Sequence, residues 1–132
     1  MKTQSLPSVI LTVAEATRYI RDLFESDDLL RDLWIQGEAS NAMRSQAGHH
    51  YFTLKDEAAS IRCVLWRSQA ELQTTLPEDG QAFLLHGHIS VYETRGTYQF
   101  YVDFIQTGGV GTLHLRFEQL KESLAAEGLF EE

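Results

Sequence analysis

The chain is expected to fold as a mainly β protein: a small five-stranded barrel with a helix at either end and a short helix between its third and fourth strands. Three observations predict this. The stretch from Gly48 to Trp66, GHHYFTLKDEAASIRCVLW, alternates large apolar or aromatic side chains with polar or basic ones in two runs separated by an acidic, small-residue segment. That is the pattern of two half-buried antiparallel strands joined by a loop. A second such pair runs from Gln81 to Glu93 and from Tyr98 to Gln106 around the tight turn Thr94-Arg-Gly-Thr97. Both pairs lie between segments of helical periodicity, and 132 residues with 43% hydrophobic and 11% aromatic content make one domain with a core but not two.

In order, residues 1–11 form a lead-in that Pro7 keeps irregular, and residues 12–30 a helical segment. Thr12-Val-Ala-Glu15 fits a capping box, in which the Thr12 hydroxyl accepts from the Glu15 amide and the Glu15 carboxylate from the Thr12 amide. Val13, Ala16, Ile20, Leu23 and Phe24 then make one apolar stripe that covers the barrel. Leu33 to Asn41 reads as the first strand, with Trp34 and Ile35 on opposite faces and Gly37 suited to a bulge or bend. Asn41 to Gly48 reads as a loop holding Arg44. In the central hairpin, side chains alternate between faces, so Phe52 and Leu54 enter the core with Ile61, Cys63 and Leu65. Tyr51, Thr53 and Lys55 share the other face with Arg62, Val64 and Trp66.

A helical stretch follows from Arg67 to about Leu72, then a turn at Leu76-Pro-Glu-Asp-Gly80. The fourth strand carries Gly87 as a second candidate bend. The fifth should place Tyr98, Phe100, Val102 and Phe104 on one face and Gln99, Tyr101, Asp103 and Ile105 on the other. The barrel therefore spans residues 31–107. The remainder, 108–132, carries Leu113, Phe117, Leu120 and Leu124 at helical spacing before Gly128. Five strands interrupted by a helix between the third and fourth is the layout of the OB-fold, a partly open Greek-key barrel.

The formal net charge of −8 counts against a polyanionic partner, but the charge is unevenly spread. Between Leu30 and Arg67, Arg31, Arg44, Lys55, Arg62 and Arg67 face only Asp32, Glu38, Asp56 and Glu57; beyond Ser68 the acids dominate. No apolar run reaches the roughly 18 residues of a membrane span, and the amino terminus lacks the apolar core of a signal peptide, so a cytosolic location is expected. Cys63 is the one cysteine and is expected to pack as a small hydrophobe.

His86 and His88 share a strand face, while His49 and His50 point apart; neither pair brings a visible third ligand, and no metal or other cofactor is expected. Glu15, Glu38, Asp56 and Asp103 fall on different elements, and no phosphate loop or nucleophile elbow occurs. The chemistry the sequence does favour is binding. On an OB barrel, single strands cross the open face with bases stacked on aromatic rings and phosphates tracked by cations. Tyr51, Lys55, Arg62 and Trp66 fit that description, with Arg44 and Arg95 framing the groove. The competing reading has Trp66 capping the barrel end and Lys55 paired with Asp56 or Glu57.

Several motifs occur together in one order: LWIQGEASN from Leu33, AGHHYFTLKD from Ala47, IRCVLWR from Ile61, GHISVYETRGTYQFYVD from Gly87, and LHLRFEQLKESLAAEGLF from Leu113. In this the chain resembles, from Leu11 to Phe130, the N-terminal domain of the exodeoxyribonuclease VII large subunit. The resemblance implies an OB-fold that grips single-stranded DNA for a nuclease domain following it, which degrades the strand to oligonucleotides. It also implies small subunits bound further along the full polypeptide and no activity in this portion alone. The net charge and Ala47, where a small polar residue is usual, depart from the family pattern. Tyr51 and Arg62 further resemble the stacking and polar positions of anticodon-binding OB domains of aminoacyl-tRNA synthetases, which would favour RNA. A third reading is an assembly module whose amphipathic helices dock the rest of the enzyme or a second copy of the chain.

Overall fold

Residues 9–107 are described here from a computed structural model. The first helix, α1 (Val13–Ser26), begins with the expected capping box: the Thr12 hydroxyl accepts from the Glu15 amide at 3.1 Å and the Glu15 carboxylate from the Thr12 amide at 3.0 Å. Five strands follow: β1 (Leu33–Arg44), β2 (His50–Lys55), β3 (Ser60–Leu65), β4 (Ala82–Tyr92) and β5 (Thr97–Thr107), with the short helix α2 (Arg67–Ala70) between β3 and β4. They close into a barrel in the order β1-β2-β3-β5-β4, which is the OB-fold. The expected helix over Leu113 to Leu124 and most of the lead-in lie outside the described residues.

Closure takes two devices. β1 is long enough to serve two neighbours, its first half pairing with β4 and its second with β2, and Glu38 takes part in both ladders, opposite Ala82 and Lys55. The seam is parallel and short: β3 meets β5 only through Cys63 opposite Phe100 and Val64 opposite Tyr101. The interior is filled by Phe52, Leu54, Cys63, Leu65, Phe83, Leu85, Phe100, Val102 and Ile105, with Ile35 and Ile61 packed partly against them. Burial pushes the Cys63 thiol up to about 12, so it stays a neutral packing group.

Four details of strand geometry depart from the periodic reading. The bulge in β1 falls between Ser40 and Met43, where Asn41 adopts φ 55, not at Gly37. Gly37 is required for close approach instead, because a Cβ there would meet the Lys55 carbonyl oxygen at 2.8 Å. Arg44 is not in a loop, since β1 continues to it and pairs it with His50. In β5 strict alternation fails beyond Val102: the ladder with β4 shifts between His86 and Gly87, so Ile105 turns inward and Phe104 outward. Phe104 then meets Trp34 edge-on at 5.7 Å. Gly87, the expected bend, sits at that shift.

The α1 stripe covers the barrel only in part. Phe24 packs against Tyr98 at 6.3 Å, but Val13, Ile20 and Leu23 are exposed, and no residue of the helix is fully buried. Polar contacts tie the helix down instead. Arg21 bonds Glu93 in the β4–β5 turn, and the Glu25 carboxylate accepts from the Ser90 hydroxyl at 2.9 Å. The connection onward is held by His86, whose Nδ1 lies 2.7 Å from an Asp103 oxygen and whose Nε2 lies 2.5 Å from an Asp32 oxygen. Burial alone would lower the imidazole pKa, but the hydrogen bonds and charges of Asp103 and Asp32 outweigh it and hold the value above normal.

Two outcomes follow. A Cβ at Gly87 would sit 2.1 Å from the Tyr101 carbonyl oxygen, so Gly87→Ala is expected to destabilise by about 2–4 kcal/mol in denaturant unfolding, through backbone displacement at the bulge. The His86 contribution is fully present below about pH 6.5, the value of a free imidazole, and is lost as pH rises through the higher folded-state value. The gap in melting temperature between the native chain and His86→Gln should therefore be widest near pH 5.5 and shrink to about a degree by pH 9, as read by calorimetry.

Candidate nucleic-acid interface

The seam between β3 and β5 opens on its outer side into a groove of about 490 Å³. β3 supplies Arg62 and Val64, alternate residues that point away from the core, and Trp66 follows at the first residue past the strand. β2 adds Tyr51, which lies opposite Val64 in the ladder. β5 adds Gln99 and Tyr101, and the turn before it brings Tyr92, Arg95 and Thr97. That turn is closed by the Gly96 and Arg95 amides donating to the Tyr92 carbonyl at 2.8 and 3.1 Å, with Gly96 at φ +68, a conformation open to glycine without strain.

Val64 is 3% exposed although it lies on the outer face, so it forms an apolar floor beneath the aromatic side chains. Around it the rings make a row. The Trp66 indole stacks on Tyr101 at 6.1 Å and 24°, and Tyr101 stacks on His88 at 5.3 Å and 20°. Trp66 and Tyr92 remain 42% and 44% exposed, enough surface to receive a planar ligand. Burial, then the neighbouring Tyr92 and the Glu25 charge, raises the Tyr101 phenol above its usual value, so at neutral pH it is an uncharged donor.

The electrostatics separate the groove from its surroundings. Arg21 is engaged by Asp22, Glu25 and Glu93, Arg31 by Asp28 and Arg67 by Glu71. Arg62 and Arg95 have no carboxylate within ion-pair distance among the described residues. Glu93, the acid nearest Arg95 in sequence, is turned to Arg21. Both cations that line the groove are thus left for a ligand.

Of the six residues expected from sequence, four converge here: Tyr51, Arg62, Trp66 and Arg95. Lys55 does not. It borders a separate depression of about 270 Å³ with Gln36, Asp56, Ser60 and Tyr98. Its proposed partner Asp56 instead accepts from the amides of Ala58 and Ala59 at 2.8 and 2.9 Å, closing the β2–β3 turn, and those bonds lower its pKa. Arg44 stands opposite His50 outside the groove, where burial and then the Arg44 charge lower the His50 pKa. Tyr92, Gln99 and Tyr101 also line the groove and were not among the expected residues. The outward alternation of Gln99 and Tyr101 was readable in the sequence, but no local pattern set the register of β5 against β3. Among the described residues no group of three or more His, Cys, Asp or Glu converges on a metal position, and no helix is long and apolar enough to cross a membrane.

The family description "OB-fold nucleic acid binding domain" matches residues 11–106. Exodeoxyribonuclease 7 large subunits are similar to the chain, that of Halothermothrix orenii at 48% identity over 127 residues and that of Geobacter metallireducens at 48% over 123. The matches cover 96% and 93% of this chain but only 31% and 27% of those proteins, so the chain spans about a third of the length of the curated relatives. Among solved structures, yeast Stn1 and Ten1 superpose with a TM-score of 0.55 at 16% identity, covering 83% of this chain and 69% of that one. A replication protein A heterotrimer bound to single-stranded DNA gives 0.54 at 12% identity, covering 76% and 75%. Likeness at these identities concerns the fold.

Proposed function

The chain belongs to the OB-fold nucleic acid binding domain family, and we propose that it is the N-terminal domain of an exodeoxyribonuclease VII large subunit that holds single-stranded DNA in the β3–β5 groove. The observation that carries this reading is the pairing of Arg62 and Arg95, free of carboxylate partners among the described residues, with the rings of Tyr51, Trp66, Tyr92 and Tyr101 around one apolar floor. Stacking contributes about 1–3 kcal/mol per base, so two bases on these rings with two phosphates near the arginines give moderate affinity without further contacts. Arg62 comes from β3 and Arg95 from the β4–β5 turn, which suits a backbone passing between the two elements, and the tyrosine hydroxyls and Gln99 can bond base edges.

Strand cleavage in this reading belongs to a nuclease domain further along the polypeptide, to which the groove presents the strand for degradation to oligonucleotides. Small subunits bind those later parts, and the working site is the cytoplasm, in DNA breakdown. The similarity to longer exodeoxyribonuclease 7 large subunits supports this arrangement. A second reading, an assembly module, is favoured by one observation: the exposed Val13, Ile20 and Leu23 on α1, which a second copy of the chain would cover.

Fluorescence anisotropy with a labelled oligonucleotide at low salt tests the proposal. Tyr51→Ala with Arg62→Ala is expected to weaken binding at least tenfold, while Lys55→Ala changes it less than about threefold. With two phosphates neutralised, the logarithm of affinity should fall against the logarithm of salt with a slope of about −1.4. Binding unchanged by the double substitution would sink the groove assignment. Preferential competition by RNA would move the reading to anticodon-type recognition, since the ribose hydroxyl is the distinguishing group. A chain that dimerises in sedimentation while ignoring DNA would support the assembly module.

A further inference from the structure

We infer that His49 is a positioning residue for Trp66: it caps α2 from outside the helix and so fixes the indole in the groove. This deepens the proposed single-strand binding and rests on that reading for its functional consequence.

Trp66 is the N-cap residue of α2, with an extended backbone and no side-chain cap bond. Helix N-caps are ordinarily residues whose side-chain oxygen accepts from the first free amides, and an indole, which only donates, cannot do this. The amide of Arg67 nevertheless has an acceptor. His49 Nδ1 lies 3.0 Å from it, reached from the residue just before β2 and 18 positions away in sequence. The same imidazole meets the Trp66 indole edge-on, centroids 5.0 Å apart at 86°, while Tyr101 stacks on the indole at 6.1 Å. His49 thus supplies the cap that an aromatic N-cap lacks and contacts the ring whose place depends on that cap. For Nδ1 to accept, the ring proton must sit on Nε2.

The imidazole is itself held. Its residue's amide donates to the Ser45 hydroxyl at 3.1 Å, and its carbonyl accepts from the Ser45 amide at 2.8 Å. The turn ahead of it passes so close to α2 that a Cβ on Gly48, at φ +91, would lie 2.9 Å from the Arg67 Cδ. The β1–β2 turn, β2 and α2 therefore meet at one imidazole.

The test uses the 132-residue chain with Trp34→Phe, which leaves Trp66 as the one fluorophore of its kind. Three changes are made on it: His49→Asn, whose Oδ1 can take the Nδ1 place as acceptor; His49→Phe, which keeps a ring without an acceptor; and His49→Ala. In the free protein, iodide quenching of Trp66 should rise about twofold for Phe and Ala and stay near the parent for Asn. Oligonucleotide affinity should fall about three- to tenfold for Phe and Ala and recover with Asn. Loss in all three alike would mean that the imidazole acts by another route and would overturn the capping inference. Unchanged quenching and affinity in His49→Ala would overturn positioning altogether, while loss in Tyr51→Ala with Arg62→Ala would keep the groove itself. Should the parent bind no oligonucleotide, the groove reading fails, and the quenching series still decides whether His49 fixes Trp66.

Discussion

The short parallel contact between β3 and β5 is the constraint on which the rest of the molecule depends. Every other neighbouring pair in the barrel is antiparallel; this one alone joins strands that run the same way, and it does so through two residue pairs. It sets Cys63 against Phe100 inside and Val64 against Tyr101 outside. One register choice therefore closes the core on one face and assembles the floor and back wall of the groove on the other. Because side chains alternate with a period of two, a slip of one residue would exchange these faces and lose both.

The local elements were legible because each is governed by rules that act over a few residues. The capping box of Thr12 and Glu15, the alternation of Phe52 and Leu54 with Tyr51 and Thr53, and the turn at Gly96 need no knowledge of the partner strands. What escaped is what the partner decides. Asn41 bulges where β1 has passed from β4 to β2, and the shift beside Gly87 sends Phe104 outward and Ile105 inward, against a periodicity that held up to Val102. The groove divides the same way. Tyr51 and Arg62 reach it together because they stand on one hairpin, Tyr92, Gln99 and Tyr101 arrive across the seam, and Lys55 falls outside it because a pattern of alternation says which face a residue is on but not how far along it.

The negative net charge is reconciled with the groove by where the pairs form. Acids on α1 and in the β4–β5 turn are gathered around Arg21, and Asp32 and Asp103 around His86, and none of them lines the groove of Arg62 and Arg95. Surface pairs of this kind add little stability individually, and their larger effect here is on the field. Glu93, two residues from Arg95, faces Arg21 and leaves the groove cations less opposed.

Cys63 has a consequence of a different kind. The residue is 1% exposed at the closing seam, and with burial raising the thiol to about 12 almost no thiolate exists at neutral pH. Thiol exchange and peroxide oxidation both proceed through the thiolate, so Cys63 is shielded from both while the barrel is closed. Two copies of the closed barrel brought together would therefore be held by non-covalent contacts, with no thiol at the surface to join them.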